Sequence, residues 1–72
     1  MYDYAEVRYD HTNKVWSISF YDDDGVEGEY HETFKDQFEA VKRSFAHVEE
    51  GRCKRVYLVN RNNGSGYTSK KL

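Results

Sequence analysis

The sequence predicts an α+β domain: one helix laid across one face of a three- to four-stranded antiparallel sheet, in the order β-β-β-α-β. Three observations carry this. Val15 to Tyr21 alternates strictly, with Trp16, Ile18 and Phe20 on one face and Ser17 and Ser19 on the other. Asp22-Asp23-Asp24-Gly25 then reads as a hairpin turn. From Phe34 the apolar period changes, with Phe34, Phe38, Val41, Phe45 and Val48 spaced as one side of a helix.

Each element has its own signal. Tyr4 to Tyr9 alternates moderately and ends in Asp10-His11-Thr12-Asn13-Lys14, residues that tolerate a tight turn. Val26 to His31 is the expected return strand, with Val26 and Tyr30 inward and Glu27 and Glu29 outward. The helix is expected over 36–49, with Asp36 or Thr33 as N-cap and Gly51 as the left-handed residue that ends it. Glu49 and Glu50 oppose the helix dipole there, and Arg52 is placed to offset them. Cys53 to Asn60 reads as a further strand, rich in β-branched and aromatic residues. An ordered core of about 3–60 and a flexible C-terminal hairpin or tail over 61–72 complete a single domain, in which Tyr67 and Thr68 add a short strand. The aromatic stripe of the helix is expected to meet Trp16, Ile18, Phe20 and Tyr30. Truncating Phe38 or Phe45 to alanine is then expected to cost about 3–5 kcal/mol.

Composition bounds the rest. The 72 residues include twelve aromatics, no proline and one cysteine, with a net charge of −2. No apolar run suits a membrane span, and the start MYDYAEVRYD lacks the basic and apolar regions of a signal peptide. A disulfide scaffold and a coiled coil are likewise excluded, and a cytoplasmic setting is expected. Cys53 reads as a small buried residue at a strand start; the other reading is a thiol activated by Arg52, Lys54 and Arg55. His11, His31 and His47 lack metal-ligand spacing and read as surface or boundary residues. No nucleophile elbow or calcium-loop order occurs, so neither catalytic residue nor metal nor cofactor is expected.

Charge is segregated. Positions 1–51 hold all 13 acidic residues against five basic ones, a net of −8, whereas 52–72 hold six basic residues and no acid, a net of +6. This yields either two faces of opposite potential or a basic strand compensated by acidic neighbours within one sheet.

Arg8, Lys14 with Trp16, Phe34, and the helix start Asp36-x-x-Glu39-Ala40 resemble the three-stranded-sheet-plus-helix DNA-binding domains of plant ethylene-response factors, and the arm-binding domains of tyrosine recombinases are similar. The resemblance covers about residues 7–46 and implies a sheet with one helix packed on it. In that family the sheet reads the major groove. Here the matching strands carry Ser17, Ser19, Glu27 and Glu29 beside a triple-Asp tip, which repels phosphate.

Two functions follow as expectations. The first is a non-enzymatic protein-binding module, similar in size and charge to small phage proteins that inhibit host machinery. Its contact would be Tyr21, Asp22, Asp23, Asp24, Glu27 and Glu29, set against the basic channel of a host nucleic-acid-handling enzyme. The second is nucleic-acid binding through Arg52, Lys54, Arg55, Arg61, Lys70 and Lys71, with Tyr57 and Tyr67 stacking on bases. The chain is expected to be a monomer, or a weak homodimer paired through strand 54–60.

Overall fold

Strand direction decides the topology. Hairpins join β1 (Tyr2–Asp10), β2 (Val15–Tyr21) and β3 (Glu27–Phe34) into an antiparallel meander whose first strand keeps one free edge. The 13-residue helix α1 (Gln37–Glu49) is about 20 Å long and carries the chain back along the sheet. The next strand, β4 (Cys53–Arg61), therefore starts where β1 starts and pairs parallel with it, Tyr2 facing Cys53 and Val7 facing Leu58. Strand β5 (Tyr67–Lys71) returns antiparallel on β4. This computed structural model describes residues 1–61 and 66–72, and all their side chains except those of Glu29, Tyr30, His31, Arg61 and Tyr67.

The α+β class stands, but the sheet is five-stranded and mixed, in the order β3-β2-β1-β4-β5. It is not the expected antiparallel sheet of three or four strands. The expected self-pairing through 54–60 also fails, because β4 is hydrogen-bonded on both sides; the edges are β3 and β5. Of the expected flexible C-terminal hairpin or tail over 61–72, residues Tyr67–Lys71 form β5, while residues 62–65 lie outside the described part. No helix among the described residues is long and apolar enough to cross a membrane.

The turns and caps follow local chemistry. The Asp10 carboxylate accepts from the backbone N–H of Thr12 and Asn13 at 2.9 and 3.2 Å, and Lys14 adopts φ 57° to close that turn. Asp36 caps the helix by accepting from Phe38 N–H at 3.1 Å. At the other end Arg52 N–H reaches His47 O and Gly51 N–H reaches Val48 O, at 2.9 and 3.1 Å, with Gly51 at φ 79°. This paired capping satisfies carbonyls that the helix end would otherwise orphan. Arg52 also pairs with Glu50, offsetting the acid at the negative end of the helix.

The core lies between α1 and one face of the sheet. Ala5, Val7, Ile18, Phe20, Cys53 and Val56 are buried there, and Trp16, Phe34, Val41, Val48 and Leu58 pack around them. The helix, however, is rotated by about 100°, one residue's turn, from the expected stripe. It buries Ala40, Ser44 and His47, while Phe38 is 68% and Phe45 43% exposed. The sheet face is already filled by Ile18 and Phe20, and the small Ala40 and Ser44 let the helix approach it; Ser44 satisfies its hydroxyl on Val41 O at 2.6 Å. Val26 is also exposed, not inward, because it sits in the turn before β3. Tyr30 lies outside the described side chains.

The expected 3–5 kcal/mol for Phe38 or Phe45 is accordingly replaced. Phe38→Ala is expected to change stability by less than about 0.5 kcal/mol, the range of ordinary surface substitutions. Urea unfolding of the two chains checks this through their midpoints.

Candidate functional site

The face of the sheet opposite α1 carries the candidate site. Because Ala5 and Val7 point under the helix, strand alternation sends Tyr4, Glu6 and Arg8 to the other side. Cross-strand register then sets rows on that face. Tyr21, Tyr4 and Arg55 form one; Ser19, Glu6, Tyr57 and Lys71 form the next; Ser17, Arg8, Val59 and Ser69 form a third.

Three tyrosines meet at its centre. Tyr4 stacks on Tyr21 at 5.3 Å between ring centroids and an interplanar angle of 13°, and meets Tyr57 edge-on at 5.6 Å and 87°. The Arg55 guanidinium lies 6.0 Å from the Tyr4 ring centre. Tyr4, Glu6, Arg55, Tyr57 and Ser69 line an open depression of about 250 Å³. All three tyrosines are half-buried.

Charge around the rings is paired. Glu6 receives Arg8 at 2.9 Å, and Asp23 receives Arg55 at 3.1 Å. Burial, then the nearby Glu6 and Asp23 carboxylates, raises the Tyr4 hydroxyl above its ordinary range. Burial also raises Tyr21, where Arg8 opposes and Glu27 and Glu6 reinforce. The acidic turn is tied down beside them: the Asp3 carboxylate accepts from Asp23 N–H at 2.6 Å and pairs with Lys54 at 3.3 Å. Those contacts, the Asp23 N–H first, hold Asp3 below the usual carboxylate range.

Tyr21 turns away from Ile18 and Phe20, as its parity requires, and joins Tyr4. Asp22 is half-buried, Asp23, Asp24 and Glu27 are exposed, and the Glu29 side chain lies outside the described part. Of the basic set, Arg52 pairs with Glu50, Lys54 with Asp3 and Arg55 with Asp23. That is compensation by acidic neighbours, one of the two readings of the segregated charge. Tyr57 lies on the open face, Lys70 and Lys71 are exposed on β5, and the side chains of Arg61 and Tyr67 are outside the described part. Tyr4 and Glu6 were missed, although the alternation of β1 placed them on one face.

Other chemistry is sparse. Among the described residues no three His, Cys, Asp or Glu side chains gather to hold a metal ion. Cys53 is buried, and burial pushes its thiol up, against the activated-thiol reading. His47 corrects the boundary reading, being fully buried with Nε2 at 2.6 Å from Glu32 and Nδ1 at 3.2 Å from Arg52. Both ring nitrogens are occupied and out of reach of a substrate. Comparison with protein families, curated proteins and solved structures finds no match to this chain.

Proposed function

We propose that the chain is a non-enzymatic protein-binding module that contacts its partner with the tyrosine face of the sheet and the acidic β2–β3 turn beside it. The observation that carries this is the cluster of Tyr4, Tyr21 and Tyr57 on the face that no helix covers. Tyrosine supplies large contact area with few rotatable bonds, and the surrounding Ser17 and Ser69 offer adaptable hydrogen bonds. The exposed Asp24, at the tip of the acidic turn, favours a basic protein surface, such as the nucleic-acid channel of a host enzyme. Pairing of Arg52, Lys54 and Arg55 with acids supports this reading over nucleic-acid binding, which draws on uncompensated cations.

The test is affinity capture from host lysate with three chains: native, Tyr21→Ala, and Asp22, Asp23 and Asp24 all changed to Asn. Loss of a central tyrosine is expected to weaken binding by about 2 kcal/mol, roughly thirtyfold. The Asn chain is expected to lose partner mainly at low salt, where steering by carboxylates is strongest. Equal recovery by all three chains would discard the proposed contact. Nucleic acid recovered by the native chain without a protein partner would transfer the assignment to the basic segment.

A further inference from the structure

We propose that the chain pairs with a second copy of itself through the outer face of α1, in an antiparallel two-fold arrangement that sets Phe38 of one copy against Phe45 of the other. Phe38 and Phe45 are 68% and 43% exposed, whereas the buried core holds one phenylalanine, Phe20. Seven residues span nearly two turns, so both rings lie on one stripe about 10 Å apart. Val41 and Val48 lead from that stripe inward to the core. The helix thus turns Ala40 and Ser44 to its own sheet and its two phenylalanines outward. An outward aromatic stripe marks a contact surface.

The charges around the stripe name the occupant. A two-fold axis that relates Phe38 to Phe45 passes between Val41 and Lys42. An axis there brings each Phe38 level with Phe45 of the second copy. The charges obey the same operation. Lys42 falls within about 3 Å, along the helix, of the level of Glu39 of the second copy. Glu49 of the second copy reaches the level of the helix start, where Lys35 lies. The two Lys42 residues approach the axis, and their four-carbon stems let each ammonium turn outward to Glu39 of the other copy. A partner of one charge sign would leave half of this mixed rim, Lys35, Glu39, Lys42 and Glu49, unmatched.

One helix face offers little area, so the pairing belongs with weak, concentration-dependent contacts. It leaves the tyrosine faces on the outside of the pair, and it stands or falls independently of what those faces bind.

Sedimentation equilibrium from micromolar to millimolar concentration tests it. The native mass is expected to rise from 8.6 kDa toward twice that value. A chain carrying Phe38→Lys and Phe45→Lys is expected to stay monomeric with unchanged helicity. A native chain that remains monomeric throughout, or a dimer that survives both substitutions, overturns the proposal. Geometry is tested separately by Lys42→Cys, which sits beside the proposed axis. Under mild oxidation it is expected to form an intermolecular disulfide several-fold faster than Thr12→Cys, in the distant β1–β2 turn. Equal rates would overturn the proposed axis.

Discussion

Phe20→Ala is expected to destabilise the fold by about 3–5 kcal/mol, the range for truncating a buried aromatic residue. Phe20 is fully enclosed, with Tyr2 stacked on it at 5.3 Å and the His47 ring edge-on at 5.0 Å. Alanine there removes the ring and leaves a void that Ile18 and Val56 fill only by moving. A chain of this length has a total stability of roughly 4–11 kcal/mol, so the loss takes about a quarter of it or more. Thermal unfolding followed by circular dichroism is expected to show a midpoint lowered by at least about 12 °C. Phe38→Ala is the internal control, since it deletes the same atoms at an exposed position. Similar shifts for both chains would mean that the helix is rotated differently about its axis from the arrangement described.

That contrast shows which parts of the fold are legible in the sequence. Helix bounds are, because Asp36 and Gly51 act through local hydrogen bonds and a local φ that need no tertiary partner. The face of β2 is too, since alternation fixes Trp16, Ile18 and Phe20 against Tyr21 whatever the strand pairs with. The rotation of α1 is not legible. An apolar stripe identifies a helix, but which residues it buries depends on the space the sheet leaves. Here that space admits Ala40 and Ser44 and excludes Phe38. Parallel pairing of β1 with β4 is equally non-local, set by where the helix returns the chain. The candidate site is half legible: Tyr21 follows from parity, whereas its stacking on Tyr4 needs the β1–β2 register.

His47 is the residue that periodicity hides most completely, and its removal from partnership is expected to be the second-largest perturbation. Arg52 Nη1 can only donate, so His47 Nδ1 at 3.2 Å is the acceptor. The ring proton therefore sits on Nε2 and is donated to Glu32, 2.6 Å away. Glu32 also receives Arg43 Nε at 3.2 Å, and Arg43 and Arg52 both reach Glu50. The result is a closed ring, Arg43–Glu32–His47–Arg52–Glu50, that ties β3 to the end of α1 and to the residue before β4. Glu32→Leu deletes the acceptor while His47 stays buried with an unmatched N–H. The expected cost is about 1.5–3 kcal/mol, the value of a hydrogen bond to a charged group, with the lower half favoured because Glu32 keeps some contact with water. Adding His47→Leu to Glu32→Leu removes both members. The double variant is therefore expected to be less destabilised than the sum of the single variants, with a coupling of about 0.5–3 kcal/mol. Nitrogen-15 shifts of the imidazole supply the structural check: in the neutral ring, Nε2 is expected to carry the proton. A proton on Nδ1 instead, or additive costs across the cycle, would break the ring as drawn.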